Sequence, residues 1–416
     1  MSKTLMIKVM VLGAVACAFS ATGFAADVQN GHGQGIADST TEVNEAKHEA
    51  VRSNWMDRTD IVVGVGMKDS KEMHTQHHTV FTVPRHDLHT VTSKNSKSTE
   101  INKLYIETLQ PITHYDENAK SVVFVQGRIG RSGEKISSYK LDGYLEPARP
   151  AGTFIRHDKQ TDTKESLGMN ANVGIGYRRL SKGEHAYVGV NAFYDHVFKG
   201  GYKRVSGGVE YVAGLNEFHA NLYRNLGTDD RKYIGLHGRS VVLGDPTGLY
   251  PYGMDPDQSL YDYARVDYEN HWALSENTVA RGYDIGYART FKNARWARVY
   301  ADYYNWRGRE AVKVGYYKLP KRDAIKGFKV GAEFHITPHV TLDAGYKTAS
   351  HHLSGPYATL KYTIGTSKFA WRGGKHSESA ITTARSKMLD KVRRSDMVVQ
   401  ETVEETYDHG VVDVGL

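Results

Sequence analysis

Asp195 and His196 set a carboxylate beside an imidazole, the two groups from which a general base and its orienting partner are made. The surrounding run Gly189-Val-Asn-Ala-Phe-Tyr-Asp-His196 alternates as a strand does, and neighbours on a strand point to opposite faces. The two cannot form a dyad. A second acidic set, Asp229, Asp230, Asp255 and Asp257 with His237, falls between 227 and 277 and would suit a protease. It shows no base-to-orienter spacing, and a solvated acidic loop tip is the plainer reading. No catalytic residue is assigned.

Histidine offers the other chemistry. The chain holds 20, and His74, His77, His78, His86 and His89 crowd one polar segment, as His351 and His352 do another. Imidazoles at such spacing can bind Zn²⁺ or Ni²⁺, which makes His74, His77 and His78 metal candidates against the alternative of a flexible polar loop. Gly64-Val-Gly66 and Gly174-Ile-Gly176 lack the third glycine and the following helix of a nucleotide loop. No cofactor is expected.

The elements that must position these groups emerge at a period of two. Met169, Ala171, Val173, Ile175 and Tyr177 alternate with Asn170, Asn172, Gly174, Gly176 and Arg178. Next, Ala186, Val188, Val190, Ala192 and Tyr194 oppose Tyr187, Asn191, Phe193 and Asp195, and Val205, Val209 and Tyr211 oppose Arg204, Ser206 and Glu210. Phe218, Ala220 and Leu222 then oppose Glu217, His219 and Asn221. The pattern fits a soluble sandwich as well as a membrane barrel. Strands of about ten residues, rich in Gly and Tyr and joined by alternating short and long connections, point to the barrel. A bilayer cannot hydrogen-bond open sheet edges, so such strands must close on themselves.

Composition agrees. A mean hydropathy of −0.52 and the absence of any apolar run of roughly 20 residues beyond the N-terminus exclude a helical membrane bundle. Tyr, at 27, outnumbers Phe at 12 and Trp at 5, as aromatic girdles require. The net charge of +7 is spread along the chain, which suits anionic lipid headgroups rather than nucleic acid.

Residues 1–25 read as a signal peptide: Lys3 and Lys8 precede an apolar run from Val9 to Phe19, and Gly23-Phe24-Ala25 forms a small-residue cleavage site. Cys17, the chain's one cysteine, would leave with it, and no disulfide is expected. Residues 26–57 read as a polar periplasmic segment with a helix from Glu42 to Trp55, and 58–367 as the barrel. Strands are expected near 58–68, 103–112, 121–131, 167–180, 185–198, 202–213, 216–226, 278–291, 295–306, 325–337, 340–350 and 355–366. Short connections at 113–120, 181–184, 214–215, 292–294 and 338–339 suit periplasmic turns. Long ones at 69–102, 132–166, 227–277 and 307–324 suit extracellular loops, with 199–201 and 351–354 as short exceptions.

Several of these runs, in this order, resemble the inverse autotransporter β-domain of the intimin/invasin family of outer-membrane adhesins. They include Glu107-Thr-Leu-Gln-Pro-Ile with Tyr115-Asp, Val125-Gln-Gly-Arg-Ile129 and Asn172-Val-Gly-Ile-Gly-Tyr-Arg178. Gly189 to His196, Gly208-Val-Glu-Tyr211 and Glu217-Phe-His-Ala-Asn-Leu-Tyr223 come next, then Arg298-Val-Tyr-Ala-Asp-Tyr-Tyr-Asn-Trp306 and Thr341-Leu-Asp-Ala-Gly-Tyr346. The resemblance implies an all-β membrane protein: a closed antiparallel transmembrane β-barrel of about 12 strands, with a C-terminal α-helical linker inside the pore. It also implies a non-enzymatic surface adhesin of type V secretion. Its expected partners are outer-membrane lipid and lipopolysaccharide, the barrel-assembly machinery, periplasmic chaperones, and a host-cell or matrix ligand.

Residues 368–400 match that linker. Ala384, Met388, Leu389 and Val392 recur at helical spacing. Arg393 and Arg394, with Lys387 and Lys391, would meet the acidic lumen candidates Glu107, Asp195, Glu210, Glu217, Asp302, Glu333 and Asp343. Arg178, Arg204, Arg298, Lys329 and Lys347 share that lumen face, whereas Arg224 falls on the apolar face and belongs near an interface. A helix lying loose in the periplasm is the alternative. Residues 401–416 read as an acidic tail in place of the family's passenger. A barrel-only pore for small solutes and a rim protease remain as alternative functions.

Overall fold

The computed structural model describes residues 54–80, 88–116, 118–148, 153–227, 230–243, 263–307, 312–314, 317–319, 324–350, 354–365, 370–372 and 384–415. Residues 1–25 with the expected signal peptide, the helix expected over 42–55 except its last two residues, His86, Asp229, Asp255 and Asp257 lie outside them. A 3₁₀ turn at Trp55–Arg58, capped by the Asn54 side chain accepting from Met56 N–H, leads into the first strand.

In chain order the strands begin with β1 (Thr59–Val80), β2 (Leu88–Pro111), β3 (Ser121–Arg131), β4 (Glu134–Ala148) and β5 (Thr153–Ser166). Then come β6 (Met169–Leu180), β7 (Ala186–Val197), β8 (Lys203–Ala213), β9 (Asn216–Asn225), β10 (Asp230–Leu243) and β11 (Tyr263–Val279). The remainder are β12 (Gly282–Phe291), β13 (Ala294–Trp306), β14 (Val312–Val314), β15 (Tyr317–Leu319), β16 (Ile325–His335), β17 (Val340–Lys347), β18 (Gly355–Thr363) and β19 (Val398–Gly415).

Twelve of these close on themselves. β1 pairs with β2, β2 with β3, β3 with β6, and β6 to β9 continue in sequence. β9 pairs with β12, and β12, β13, β16, β17 and β18 continue until β18 returns to β1, with Asp60 opposite Thr363. Every pairing in the ring is antiparallel. The expectation of an all-β membrane protein built as a closed twelve-strand barrel is met.

The two faces separate as a membrane barrel requires. Outward side chains form an apolar band that includes Ile175, Val190, Val209, Leu222, Ile285, Val330 and Leu360, all exposed. Aromatic groups flank it. Tyr211, Phe218 and Tyr287 gather near the short-turn end, with ring centroids 6.5 and 4.9 Å apart. Tyr283, Tyr303 and Phe328 do so near the other end, at 6.2 and 5.0 Å. Not every tyrosine joins a girdle: Tyr187, Tyr223, Tyr300 and Tyr304 are buried inside. Arg224 points outward one residue before β9 ends.

Glycine makes room for large inward groups. A Cβ on Gly176 would lie 2.2 Å from the Phe124 ring, and one on Gly174 2.2 Å from Phe193.

Where the connections expected as long loops are described, they are mostly strands. β1 and β2 run on past the barrel as a hairpin, β4 and β5 form a second, β10 and β11 a third, and β14 and β15 a small fourth. Water can reach both faces of a hairpin projecting from the rim, so no apolar alternation marks it in the sequence. Val91 to Thr99, for example, is exposed at every position. The 401–416 tail is likewise a strand over most of its length. β19 runs parallel to β4 and antiparallel to β11.

Candidate functional site

Residues 384–397 pass through the lumen. The chain enters at the short-turn end, where Arg385 donates to Glu184 at 2.8 Å and to Ala119 O at 2.8 Å. Both acceptors lie in short turns. It leaves at the hairpin end, where Glu134 N–H donates to Met397 O at 3.0 Å.

The pass is not an α-helix. After a 3₁₀ turn at Ala384–Lys387 the backbone is irregular as far as β19. The barrel wall supplies the hydrogen bonds that a helix would make within itself. Arg178 Nη1 donates to Met388 O at 2.8 Å and to Asp390 O at 2.6 Å. Val392 N–H donates to Gln126 Oε1 at 2.9 Å, and Asn221 donates to Arg393 O at 3.0 Å. Ser395 N–H reaches Tyr223 Oη at 2.8 Å and Asp284 at 3.0 Å, while Arg204 donates to Ser395 O at 2.9 Å. Helical spacing of the apolar residues is thus compatible with another conformation, stabilised from outside.

Ala384, Met388, Leu389 and Val392 join one buried cluster with Leu109, Val122, Phe124, Leu180, Tyr187 and Val212 from the wall. This apolar cluster occupies the side of the short-turn half that β2, β3 and β6 to β8 form. At about 25 cal/mol per Å² of apolar area, each large side chain buried there contributes roughly 1.5–3 kcal/mol.

Charge holds the rest. Arg178 grips Glu210 through Nε at 2.6 Å and Nη2 at 3.0 Å, beneath the rings of Phe124 and Tyr187. Arg394 and Arg204 share Asp195, at 2.7 and 2.8 Å. Arg393 donates to Glu333 at 2.6 Å with its guanidinium 4.9 Å from the Tyr300 centroid. Arg298 bridges Glu217 and Glu333, and Glu217 also takes Lys387 at 2.6 Å. Glu107 accepts from Gln126 at 2.9 Å and from Arg128 at 3.1 Å. Lys347 pairs with Glu134 at 2.6 Å, and Asp343 accepts from Tyr300. Lys329 sits 5.0 Å from the centroids of both Tyr300 and Tyr357, and Asp302 lies 3.8 Å from His219.

Sequence reasoning did not name several partners. Asp60 receives Lys391, Arg128 and Lys103 hold Asp396, and Asp284 receives Asn221 and Tyr223. Each of these wall residues obeys the inward phase of its strand, so strict alternation was the signal. A cavity of about 370 Å³ remains beside the plug.

The chemical candidates fall elsewhere. Asp195 is inside, while His196 is on the opposite face of β7, its ring 5.5 Å from Phe198. His74 Nε2 lies 2.9 Å from His157 Nδ1, and His77 lies 3.3 Å from Asp158, on the opposite face of the hairpin sheet. His74 and His77 therefore do not converge, and no metal-binding group of three or more is present among the described residues.

A barrel whose lumen is threaded by its own C-terminal segment matches, over residues 154–396, the family of the inverse autotransporter β-domain. That match covers more than half of the chain. The chain belongs to the inverse autotransporter β-domain family. Membership places this inverse autotransporter barrel in the bacterial outer membrane, within type V secretion, and the family is a non-enzymatic barrel. A search of curated proteins finds no match. Among solved structures, one from a study of in-meso crystallization of membrane proteins has 13% identity and a TM-score of 0.43, covering 82% of this chain and 99% of that one. The translocator domain of autotransporter NalP from Neisseria meningitidis has 10% identity and a TM-score of 0.23, covering 78% and 95%. The β domain of the Bordetella autotransporter Brka has 9% identity and a TM-score of 0.22, covering 71% and 99%. Scores this low carry no argument, and the fold rests on the chain's own strand pairings.

Proposed function

We propose that the barrel anchors the chain in the outer membrane and carries its C-terminal segment through the lumen to the cell surface, where the hairpins contribute to adhesion. In this reading residues 26–57 and the short turns are periplasmic, 58–367 is the anchor, and 368–400 is the linker. Residues 401–416 are then the exported segment. The observation that carries it is the continuous pass of residues 384–397 from the turn end to the hairpin end, bonded to the wall along its length. Partners on this reading are outer-membrane lipid and lipopolysaccharide, the assembly machinery and chaperones that deliver such barrels, and a host-cell or matrix ligand.

The test is an epitope tag after Leu416, probed with antibody on intact cells, with a tag inside 227–277 as the surface control. Labelling at both sites supports export. Labelling at 227–277 alone, with Leu416 reached only after permeabilisation, overturns it.

The pore alternative has less support. Met388, Leu389 and Val392 pack on the wall at the short-turn end and narrow the lumen on the side of β2, β3 and β6 to β8, which argues against a wide solute path there. Among the described residues no geometry favours the rim protease, and Asp229, Asp255 and Asp257 lie outside them.

A further inference from the structure

Beyond the barrel rim, β4 and β11 are each covered on one side only by their own hairpin partners, β5 and β10. Their other edges face each other. Such edges carry rows of unpaired N–H and C=O groups that template pairing with any extended chain. β19 lies between them, with Val398 opposite Glu134 and Val399 opposite Val279, and tracks β11 as far as Gly415.

The pairing directions are dictated by the exit. A chain leaving the lumen heads away from the rim, as β4 does from Glu134, whereas β11 returns towards it. The only register open to an emerging strand is parallel to the first and antiparallel to the second, as found.

Pairing begins at the mouth of the lumen. Ala280 N–H donates to Val398 O at 2.8 Å. Val398 packs with Tyr223, Ala280, Tyr304 and Trp306, while Met397 and Val399 pack with Leu167, Val197 and Val279. Farther out, Ser137 donates to Glu401 at 3.0 Å, Tyr139 donates to Glu405 at 3.1 Å, and the Tyr407 ring stacks on His271 at 4.0 Å.

We propose that the facing edges of β4 and β11 form a strand-acceptor cleft. Its occupant is residues 398–415 of the same chain, taken up as they leave the lumen, so that strand pairing opposes backward sliding. This rests on the reading that the C-terminal segment exits through the lumen. Main-chain pairing supplies the grip, and Lys135, Ser137 and Tyr139 select an acidic strand at alternate positions.

Cysteine pairs test it in the purified, detergent-folded chain carrying Cys17→Ser. Ser138 faces Thr402 in register, whereas Glu404 is displaced by two residues. Strand spacing puts the first pair about 5 Å apart between Cα atoms and the second about 8 Å, beyond the ~7 Å a disulfide spans. S138C with T402C should oxidise about tenfold more than S138C with E404C, within one chain. Equal oxidation of both pairs, or a cross-linked dimer, overturns the assignment.

In a second arm, the chain ending at Met397 is offered a fluorescent peptide of residues 398–415. Saturable binding is expected, about tenfold weaker for a scrambled peptide and for the full chain, whose cleft is filled. A folded truncated barrel, judged by heat-modifiable migration, that binds both peptides alike overturns the proposal. If truncation prevents folding, the cysteine pairs decide. Both arms are indifferent to which membrane face the hairpins occupy, so a failure of the surface-labelling test stays distinguishable.

Discussion

Arg178 and Glu210 form a bidentate ion pair at 2.6 and 3.0 Å, and the same guanidinium donates to the plug carbonyls of Met388 and Asp390. One fully buried side chain thus links the wall to the segment it encloses. The guanidinium keeps its charge, and its planar fork serves both tasks at once.

Arg178→Met removes one partner and leaves Glu210 buried without its counter-charge. The expected cost is about 3–5 kcal/mol. Adding Glu210→Met should restore part of it, because the abandoned charge goes too. Denaturant midpoints of the detergent-folded barrel compare the three. A single variant no less stable than wild type would show that the pair does not hold the plug.

Met388 and Leu389 pack in the short-turn half with Leu109, Val122 and Phe124. Met388→Ala should cost about 2–5 kcal/mol through the cavity it leaves. Leu389→Asp would bury an unpaired carboxylate and drive the segment from its place. Planar-bilayer conductance should then rise severalfold over wild type. Unchanged conductance would mean that this cluster does not limit passage through the lumen.

Glu401, beyond the rim, is pushed up by burial and pulled down by its hydrogen bond and ion pair with Lys135, and the second effect wins. A carboxylate held below its ordinary value stabilises the folded state above the ordinary Glu pKa and loses that contribution as pH falls through the lowered value. β19 should therefore loosen under acid, below about pH 4, and not at neutral pH. Hydrogen exchange of residues 398–407, corrected for the intrinsic rate at each pH, would report it. Glu401→Gln should flatten the profile, and a wild-type profile already flat would remove the ion pair from the account.

Leu222 faces outward in the apolar band, and Arg224 does so next to the end of β9. Leu222→Arg should cost up to about 2–4 kcal/mol, depending on depth in the bilayer, and Arg224→Leu close to nothing. Folding titrations into lipid vesicles would compare them. Equal costs would place the membrane boundary elsewhere on this strand.

Strands that face lipid on one side and the lumen on the other were readable to within a few residues, because two different solvents impose a period of two. β6 to β9 are the clearest instance. The hairpins beyond the rim carry no such period, for the converse reason. Val91-Thr-Ser-Lys-Asn-Ser-Lys-Ser-Thr99 meets water on both sides, so nothing in its composition separates strand from coil. The plug shows a third limit. Its conformation is set by Arg178, Gln126, Asn221, Tyr223 and Arg204, all far away in sequence, and local periodicity cannot register distant donors. Asp60 and Asp284 lie on the inward phase of β1 and β12, and the same alternation that marks Asp195 and Glu217 marks them, whereas their partners Lys391 and Asn221 lie on other segments.

Because Lys391, Arg393 and Arg394 each meet a particular wall carboxylate, residues 384–397 are not an interchangeable cassette. Grafting the corresponding segment from a related barrel would part Asp60, Glu333 and Asp195 from Lys391, Arg393 and Arg394 unless the wall were transplanted with it. A polypeptide fused after Gly415 has no such dependence on the wall. If the export reading holds, a new cargo belongs there, with the fourteen plug residues left untouched.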